Sequence, residues 1–469
     1  MTRDVQGDLT DDLPDYDLVV IGAGLVGAAL ARAFAGYDLR IALVEAHDDV
    51  GDGTSKANTA ILHTGFDATP GTLESSLVRR GYELLGEYAS QAGIPIERTG
   101  AVLVAWDHEQ LQTLPGLQAK AVANGYQHTE LISADGVYRM LPHLGPGALG
   151  GLTVPDESVT CTWTTNLALA TDAVRRGVTL MLSTSVEAVS VGQAQTTIRT
   201  NRGPLRTRWI VNAAGLGSDL VDQMVGFDRF TVTPRKGELL VFDKLARPMA
   251  PHIVLPVPSK AGKGVLVSPT IYGNVMVGPT AQDIEDRTDT STTEEGFAFL
   301  MDKLSRLMPA LAGEEITATY AGLRAATEHA DYVIDVDPGK RYALAGGIRS
   351  TGLTGCMAIA EYLCARVRDT GALGMVERQD LPDAPRMPNL GEAFIRPYQD
   401  AARIAGDPEY GRIVCFCERV SAGEIRDALH ATIPATTVGG MRRRTRALNG
   451  RCQGFFCGAE VRERLWPTT

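Results

Sequence analysis

The fold class of this chain is decided near its beginning, by the stretch Asp17-Leu18-Val19-Val20-Ile21-Gly22-Ala23-Gly24-Leu25-Val26-Gly27. The apolar run predicts a short buried parallel strand that leads directly into a glycine-rich turn. The Ala-rich residues that follow predict a helix to about residue 35, and a second apolar run over residues 40–44 ends in Glu45. Together these elements predict a βαβ unit of the Rossmann type, and therefore an α/β fold.

Each glycine of the turn has its own role in dinucleotide binding. Gly22 allows a tight turn, Gly24 lets the backbone approach a pyrophosphate, and Gly27 lets helix and strand pack closely. The phosphates would lie at the helix N-terminus, and Glu45 would accept hydrogen bonds from a ribose diol. Residues 145–150 fit the same G-x-G-x-x-G pattern, but no apolar strand precedes them, so we interpret that copy as a loop.

Two later segments bear on the choice between NAD and FAD, which share the ADP half that a βαβ unit binds. Residues 209–215 predict another buried strand that ends in small residues, where a chain can pass close to a flavin. Residues 346–355 form a second glycine-rich turn before a predicted helix over residues 356–367, and its N–H groups could face flavin oxygens. Either segment alone could be an ordinary loop, but both in this order favour one large buried FAD.

The composition is that of an ordinary globular protein. The chain has 469 residues, and 45 Lys+Arg against 56 Asp+Glu give a formal charge of −11, which argues against nonspecific nucleic-acid binding. Residues 1–15 carry five Asp and no apolar run, and no window of the sequence is apolar enough to span a bilayer. We therefore expect a flexible N-terminus over residues 1–15 and a cytoplasmic protein.

The seven cysteines fall into two groups. Cys161, Cys356 and Cys364 lie among apolar neighbours and are expected to be small buried hydrophobic residues. The other four form the pattern Cys415-Phe416-Cys417, then thirty-four residues, then Cys452-Gln453-Gly454-Phe455-Phe456-Cys457. Zinc remains an alternative for any four thiolates, but zinc sites usually have C-x2-C pairs, and C-x-C with C-x4-C differs from that spacing.

Ordered blocks over residues 17–370 resemble the glycine oxidase/D-amino-acid oxidase family of flavoenzymes. They are more closely similar to its glycerol-3-phosphate dehydrogenase and L-2-hydroxyglutarate dehydrogenase branch. Besides the first glycine-rich turn, the matching blocks are Gly53-Thr54-Ser55-Lys56-Ala57-Asn58, His63-Thr64-Gly65, Pro234-Arg235-Lys236-Gly237-Glu238, Gly262-Lys263-Gly264-Val265-Leu266-Val267, Gly278-Pro279-Thr280, Ala321-Gly322-Leu323-Arg324 and residues 346–354. The resemblance implies a Rossmann-type FAD-binding domain with an inserted mixed-sheet substrate domain, together spanning residues 16–375.

The cysteine pattern near the C-terminus is similar to the ferredoxin domain of bacterioferritin-associated ferredoxin, which also forms the end of one subunit of anaerobic glycerol-3-phosphate dehydrogenase. This resemblance implies a small α-rich domain over residues 409–469 that holds a 2Fe-2S cluster through four ligands. The implied ligands are Cys415, Cys417, Cys452 and Cys457. Four prolines between residues 382 and 397 mark residues 376–408 as a linker or strap.

A basic run between the two cysteine pairs consists of Arg442, Arg443, Arg444, Arg446 and Arg451. Its simplest interpretation is a solvated face. Because a 2Fe-2S cluster with four thiolates is anionic, nearby guanidinium groups would also favour its reduced form. The same groups are equally suited to docking an acidic electron-carrier partner.

The family resemblance implies which residues surround the flavin. His63 is the candidate base for a substrate hydroxyl, because imidazole takes a proton near neutral pH, and its alternative role is to support the flavin. His329 is a spare candidate base, and Lys236 is expected to anchor its own strand. The implied cofactor-binding positions are Gly22, Ala23, Gly24, Leu25, Val26, Gly27, Glu45, Thr54, Ser55, Asn58, Leu62, His63, Val186, Ala214, Gly215, Gly347, Gly352, Leu353 and Thr354.

The family resemblance also implies a cationic substrate site. Lys263, Arg324, Arg349 and Ser350 fall in substrate-side blocks, and Arg324 is also a candidate catalytic residue. A guanidinium group suits the planar recognition of carboxylate or phosphate. Many relatives carry an uncharged or acidic residue and then Ser-Pro where this chain has Arg349-Ser350-Thr351, so positive charge is added here.

These features imply an FAD-dependent dehydrogenase that oxidises an anionic secondary alcohol, with glycerol 3-phosphate or a related polyol phosphate as the expected substrate. Electrons would pass through FAD and the 2Fe-2S cluster to a quinone, a ferredoxin or a partner subunit, and attachment to the inner face of the membrane through partners is left open. The alternatives are an L-2-hydroxyglutarate-type 2-hydroxyacid dehydrogenase or oxidase and a noncatalytic electron-transfer subunit. Phosphate and carboxylate recruit the same side chains, so the sequence does not separate the first two.

Overall fold

The computed structural model describes residues 15–258 and 264–467. Its helices are α1 (Leu25–Phe34), α2 (Leu73–Ala92), α3 (His108–Ala123), α4 (Ala134–Met140), α5 (Thr162–Arg175), α6 (Ser218–Met224), α7 (Glu294–Leu307), α8 (Pro309–Ala312), α9 (Gly352–Asp369), α10 (Ala401–Gly406), α11 (Ala422–Leu429), α12 (Val438–Thr445) and α13 (Gly458–Leu465). Its strands are β1 (Asp15–Ile21), β2 (Ile41–Val44), β3 (Ile61–Leu62), β4 (Ile96–Glu97), β5 (Ala101–Ala105), β6 (Glu130–Ser133), β7 (Gly150–Val154), β8 (Ser158–Thr160), β9 (Thr179–Met181), β10 (Val186–Val191), β11 (Thr196–Thr200), β12 (Gly203–Asn212), β13 (Thr233–Phe242), β14 (Ile253–Pro256), β15 (Leu266–Pro269), β16 (Val275–Gly278), β17 (Gln282–Asp283), β18 (Ile316–Ala326), β19 (Val333–Asp337), β20 (Tyr342–Gly346), β21 (Ile413–Cys415) and β22 (Val420–Ser421). Within the described ranges, none of the helices has the length and apolar character needed to cross a membrane.

The first sheet has eight strands and contains the predicted βαβ unit. Strand β1 lies between β2 and β12 and is parallel to both, and β20 pairs in parallel with the end of β12. The antiparallel strands β10 and β11 extend the sheet beyond β12. Helix α1 follows β1 directly and packs against α5 and α9. The predicted α/β fold of the Rossmann type is confirmed.

The predicted elements of this unit agree with the structure, except at one strand. Residues 145–149 form the expected loop, and the predicted helix after the second glycine-rich turn is α9. Strand β12 begins at residue 203, six residues earlier than predicted. Its first half pairs with β11 and its last residues pair with β20, so it extends beyond the apolar run from which it was predicted.

The second sheet has nine strands and forms the inserted domain. Its longest pairing is the antiparallel ladder of β13 with β18, which places Arg235 opposite Arg324. Strand β14 is parallel to β5, whereas β13 is antiparallel to its neighbours, so the sheet is mixed as predicted. Its core includes the fully buried side chains of Val104, Phe242 and Leu304.

The C-terminal domain is small and mainly helical. Strands β21 and β22 form a two-stranded sheet, and helices α11, α12 and α13 follow. Apolar side chains from these elements, including Val420, Ile425 and Met441, form a separate core. This domain therefore has the α-rich character expected from the sequence.

Residues 376–400, called the strap below, lead from the first domain towards the C-terminal domain with little regular structure. The strap is hydrogen-bonded along its length to the part of the chain that precedes it. Asp38 N–H donates to the Val376 carbonyl at 2.8 Å, and Met387 N–H donates to the Ala92 carbonyl at 2.8 Å. The strap therefore follows a fixed path over the first domain.

A buried ion-pair cluster around Asp49 fastens the C-terminal domain to the Rossmann unit. Arg444 donates two hydrogen bonds of 2.7 Å to the Asp49 carboxylate, and Arg443 donates a third of 2.8 Å. The side chains of Arg444 and Asp49 are 4% and 5% exposed. Burial alone would raise the pKa of Asp49, but the two guanidinium groups outweigh it and lower that pKa below its ordinary value. The interface therefore contains an ionised carboxylate.

Further polar contacts connect the C-terminal domain to the second sheet. Lys244 Nζ lies 3.1 Å from a carboxylate oxygen of Glu418, and Arg451 Nη2 lies 2.7 Å from Asp243 Oδ1. Because these contacts lie on a different element from Asp49, the C-terminal domain is held at two separate places.

Replacing Asp49 with Asn should loosen the C-terminal domain, because the buried Arg444 would lose its carboxylate partner. Breaking a buried ion pair by removing one partner costs about 3–5 kcal/mol. Limited proteolysis should then cleave the strap much faster than in the wild-type protein. Since the pKa of Asp49 is lowered in the folded state, its stabilisation is present above the ordinary Asp pKa of 3.8 and is lost as the pH falls through the lower folded value.

The matched control is Asp302→Asn, which removes the partner of the exposed Arg306 on α7. An exposed pair of this kind contributes less than about 1 kcal/mol, so cleavage of the strap should be unchanged. Equal cleavage rates in the Asp49→Asn variant and the control would show that the Asp49 cluster does not hold the domain.

Candidate active site

The glycine-rich turn lies where β1 and β12 end side by side. Gly22 has a φ of +99°, and a Cβ at this position would lie 2.5 Å from the carbonyl oxygen of Ala213. A Cβ on Gly27 would lie 1.8 Å from the carbonyl oxygen of Gly22. Both positions therefore require glycine. The turn delivers the N-terminus of α1 to the sheet edge, where the N–H of Leu25 donates to Ser55 Oγ at 3.0 Å, and such a terminus suits a pyrophosphate.

Glu45 follows β2, and its carboxylate is turned back towards the same glycine-rich turn. One oxygen accepts a hydrogen bond from the N–H of Ala23 at 2.7 Å, and the other accepts one from the N–H of His47 at 2.9 Å. The residue is buried. Glu45, the residue predicted to bind the ribose, therefore lies next to the predicted pyrophosphate site, as the binding of an ADP moiety requires.

Other predicted cofactor residues reach the same sheet edge from separate parts of the chain. Ala214 and Gly215 follow β12, and Gly347 follows β20, which pairs with the end of β12. Residues 352–354 form the first turn of α9. Val186 begins β10 and packs against the core that contains the side chains of β1. The first glycine-rich turn, the segment after β12 and the second glycine-rich turn therefore meet at one edge of the sheet.

The predicted segment between β2 and β3 connects this edge to the second sheet. The hydroxyl of Thr54 donates to the carbonyl of Leu323 at 2.8 Å, and the side chain of Asn58 donates to the carbonyl of Ser55 at 2.9 Å. Leu62, in β3, is buried. Because Leu323 directly precedes Arg324, this hydrogen bond ties the flavin-side segment to the predicted substrate side.

His63 lies between two carboxylates. Its Nδ1 lies 2.9 Å from Glu157 Oε1, and its Nε2 lies 3.2 Å from Asp67 Oδ1. Its backbone N–H donates to the hydroxyl of Thr354, at the start of α9, at 2.9 Å. Burial alone would lower the pKa of His63, but the charges of Glu157 and Asp67 and their hydrogen bonds raise it to about 10.

An imidazolium with both nitrogens protonated has no lone pair to accept a proton. The sequence left two roles open for His63, and this arrangement favours support of the flavin over action as a base. Glu157 is almost completely buried and also accepts hydrogen bonds from the backbone and the hydroxyl of Thr64, at 2.7 and 2.8 Å. Neither carboxylate was predicted, and Glu157 lies too far along the chain for any spacing to indicate it.

Arg324 lies on β18 with a half-buried guanidinium group. Among the described residues, its hydrogen bonds go to two carbonyl oxygens, those of Thr280 at 3.0 Å and Arg235 at 3.5 Å. Burial, and then the like charge of Arg235, lower the pKa of Arg324 below its ordinary value. A guanidinium group of this kind gains by binding an anion.

The other predicted substrate residues are placed differently. Arg349 Nη2 donates to the carbonyl of Ala330 at 2.6 Å and to Glu74 Oε2 at 3.3 Å, so part of its hydrogen-bonding capacity is already used. Ser350 is exposed. Lys263 lies outside the described residues. The spare candidate base His329 is exposed and contacts the carbonyl of Arg229 through Nε2 at 3.0 Å.

The four C-terminal cysteines lie close together as two pairs. The thiols of Cys415 and Cys457 are within hydrogen-bonding reach of each other, and so are those of Cys417 and Cys452. Among the described residues, no group of three or more His, Cys, Asp or Glu side chains is arranged around a single ion. Two pairs suit a cluster in which each of two irons takes two thiolates, better than one tetrahedral zinc ion.

Backbone N–H groups surround these sulfurs. Burial raises the pKa of the Cys415 thiol to about 11, although the N–H groups of Glu418 and Leu448 donate to it. The pKa of Cys452 is lowered, chiefly by hydrogen bonds from the backbone of Phe456 and its neighbours. N–H groups directed at sulfur stabilise thiolates, which are the form that binds iron. The cysteine region therefore fits a 2Fe-2S cluster.

Most of the basic run between the cysteine pairs is turned inward. Arg443 and Arg444 bind Asp49, and Arg446 lies 3.0 Å from Glu418 and 4.1 Å from the centre of the Tyr272 ring. The run is therefore neither mainly a solvated face nor mainly a docking site for another protein. The sequence did not indicate this outcome, because Asp49 is almost 400 residues away.

Family models match two parts of the chain. Residues 17–366 match the family described as FAD dependent oxidoreductase, and residues 413–465 match the BFD-like [2Fe-2S] binding domain. The chain belongs to the FAD dependent oxidoreductase family. The predicted cofactors, FAD and a 2Fe-2S cluster, and the predicted branch of the family are confirmed. The residues described above fit both cofactors.

Several characterised proteins are similar to this FAD-dependent oxidoreductase. The glycerol 3-phosphate dehydrogenase of Caloramator mitchellensis is 34% identical over 454 residues, which cover 96% of this chain and 94% of the relative. The glycerol 3-phosphate oxidase of Mycoplasma pneumoniae is 28% identical and covers 73% of this chain and 92% of the relative. The L-2-hydroxyglutarate dehydrogenase of Escherichia coli strain K12 is 27% identical, over 57% of this chain and 64% of the relative.

The fold is also shared with solved structures. The dithionite-reduced L-alpha-glycerophosphate oxidase of Mycoplasma pneumoniae with FAD bound superposes with a TM-score of 0.75 at 26% identity, covering 80% of this chain and 99% of that one. The glycerol-3-phosphate dehydrogenase of Bacillus halodurans, complexed with FAD, gives a TM-score of 0.59 at 19% identity, covering 96% of this chain and 78% of that one. The second likeness concerns the fold alone.

His63 should remain protonated well above neutral pH. We expect ring-nitrogen NMR of the wild-type protein to show an imidazolium that titrates near pH 10, and Asp67→Asn to lower that midpoint by at least about one unit, since one of two carboxylates is removed. Because the folded pKa exceeds the ordinary value of 6.5, this protonation stabilises the fold fully below pH 6.5 and ceases to do so as the pH rises through about 10.

The matched control is Asp286→Asn, which removes an exposed carboxylate that caps Thr288. It should leave the His63 titration unchanged. A titration midpoint near pH 6.5 for His63 in the wild-type protein would instead support the role of His63 as the base.

Proposed function

We propose that this FAD-dependent oxidoreductase oxidises an anionic secondary alcohol, most specifically glycerol 3-phosphate or a related polyol phosphate. The observation that carries the proposal is the guanidinium group of Arg324. It binds carbonyl oxygens among the described residues, and it directly follows Leu323, which accepts the hydrogen bond from the flavin-side Thr54. The similarity to a glycerol 3-phosphate dehydrogenase over 96% of this chain supports the same substrate.

Each residue has a defined part in this proposal. FAD, when bound, supplies the hydride acceptor. Arg324 binds the phosphate or carboxylate of the substrate and so orients its hydroxyl-bearing carbon. His63, held between Asp67 and Glu157, supports the flavin rather than taking the proton of the substrate hydroxyl. Lys263 and Arg349 remain proposed as further cations of the substrate site, and Ser350 as a hydrogen-bonding group.

Two alternatives concern the substrate and the role of the protein. A 2-hydroxyacid substrate of the L-2-hydroxyglutarate type is the second candidate, since Arg324 would bind its carboxylate equally well and several relatives of that type are 27–29% identical. A noncatalytic electron-transfer subunit is disfavoured, because such a protein has no need of a guanidinium group that is available to an anion beside the flavin-side segment.

We further propose that electrons leave through the 2Fe-2S cluster to a quinone, a ferredoxin or a partner subunit. The two cofactors in one chain support this order, because a flavin that reacts directly with oxygen needs no second redox centre. Under this proposal the protein is cytoplasmic, and any attachment to the membrane is made through partner proteins.

Arg324→Met should raise the concentration of glycerol 3-phosphate for half-maximal flavin reduction by about 10- to 100-fold, because a charge-assisted contact is lost. The measurement is anaerobic bleaching of the flavin, with L-2-hydroxyglutarate as the competing substrate and FAD content as a check on folding. Arg349→Met should have a smaller effect, since Arg349 already binds Glu74. The control Arg306→Met removes an exposed arginine on α7 that pairs with Asp302 and should alter the value little. Equal effects of all three changes would contradict the proposed anion site.

Changing Cys452 and Cys457 to Ser should leave bleaching of the flavin by substrate nearly intact, since substrate oxidation occurs in the other domain. Reoxidation by a quinone analogue should slow sharply. The matched control changes Cys356 and Cys364, which are buried in α9 far along the chain from the cluster, to Ala. Full turnover with the quinone analogue in the Cys452/Cys457 double variant would make the C-terminal domain a structural element.

A further inference from the structure

Three phenylalanine side chains project into solvent beside the cysteine pairs. Phe416, Phe455 and Phe456 are 71%, 85% and 71% exposed, and the rings of the last two lie 5.2 Å apart. Phe416 separates Cys415 from Cys417, and the other two lie between Cys452 and Cys457. Because the thiols of the two cysteine segments are in contact, the three rings flank one cluster. We call this surface the cluster face.

The phenylalanines of the cluster face contribute little to the folding of their domain. The core of that domain is formed by other side chains, among them Val414, Val420, Ile425, Met441 and Val461, which are all nearly inaccessible. Exposed aromatic rings grouped at one place are costly to hydrate and usually mark a surface that another molecule covers. Here each of them lies within two residues of one of the four cysteines.

The charge of the C-terminal domain is opposite to that of the whole chain. Residues 409–469 carry ten arginines, no lysine and six carboxylates, a formal charge of +4, whereas the whole chain has a charge of −11. Arg443, Arg444 and Arg446 use their charge inside the protein, on Asp49 and Glu418.

Three other arginines of this domain remain accessible around the cluster face. Arg451 directly precedes Cys452, is 46% exposed and interacts electrostatically with Cys417. Arg419 follows the first cysteine pair by two residues and is 50% exposed. Arg462 is exposed, and its guanidinium group lies next to Gly458, at the start of α13. Arg451 also lies near Asp243 and Glu315, and Arg419 lies 3.8 Å from Glu392 of the strap.

We propose that the cluster face docks a small acidic electron-carrier protein, whose contact surface has an apolar centre and a rim of carboxylates. The apolar centre would cover the three phenylalanines, and the carboxylates would meet the arginine rim, which gives orientation and a fast association rate. In each docked complex one electron passes from the reduced cluster to the oxidised carrier, and no covalent bond is formed and no proton is transferred. This inference rests on the proposed exit of electrons through the cluster, and it specifies that the electron acceptor is an acidic protein.

The test uses the full-length protein with FAD and cluster loaded. The probes are two acidic carriers, a bacterial ferredoxin and a flavodoxin, and binding is measured by calorimetry at low and at physiological ionic strength. The variants are the pair Phe455→Ser with Phe456→Ser and, separately, Arg462→Glu. The matched controls are Phe299→Ser and Arg306→Glu, on α7 of the inserted domain, where the side chains are 46% and 75% exposed.

At least one carrier should bind the wild-type protein, and salt should weaken the binding. Each cluster-face variant should raise the Kd about tenfold or more, while both controls bind like the wild-type protein. Flavin bleaching by substrate should be the same in all variants, so a failure of the proposed substrate is seen separately from a failure of docking.

Three outcomes would overturn the inference. One is that neither carrier binds at low ionic strength, and another is that the cluster-face variants bind as tightly as the controls. The third is that the phenylalanine variant loses binding to vesicles of anionic phospholipid while its binding to the carriers is unchanged, which would assign the cluster face to a membrane surface.

Discussion

The carboxylate of Asp49 is the group on which the relation between the two redox parts of this protein depends. It follows β2 and Glu45 closely, next to the cofactor-binding turn, and it receives hydrogen bonds from two arginines of the C-terminal domain. Two residues further on, the N–H of Gly51 donates to the carbonyl of Ala23 in the glycine-rich turn at 3.0 Å. A few consecutive residues therefore connect the loop that faces FAD with the domain that holds the cluster.

The centre around His63 illustrates how burial and charge act together. A buried carboxylate such as that of Glu157 is stable only when a positive charge or several donors accompany it. His63 supplies the charge, and Thr64 supplies two donors. The imidazolium is thus required by the fold. Arg324 lies in the contrasting situation, since its hydrogen bonds among the described residues go to neutral carbonyl groups, and the nearby Asp283 is already paired with Arg235.

The sequence predicted those features that are encoded locally. The glycines of the first turn, the strand before it and Glu45 lie within thirty residues, and each follows from the backbone geometry that a dinucleotide demands. The cysteine spacing likewise indicated the cluster. The sequence could not indicate that Glu157 would face His63 or that Arg444 would reach Asp49, because such contacts are set by the packing of distant elements. The same holds for Arg349, which lies in the loop before α9 and whose partner Glu74 lies on α2, 275 residues away.

The strap has a consequence for how strongly the two domains need to attract each other. A tethered domain of this kind experiences its docking site at an effective concentration on the order of millimolar, without any diffusion through bulk solvent. The polar contacts around Asp49 and Asp243 therefore need only the affinity of a weak complex to keep the domains closed nearly all the time. Separated at the strap, the same two surfaces would form a reversible complex whose population depends on dilution, and electron exchange between them would become a bimolecular reaction.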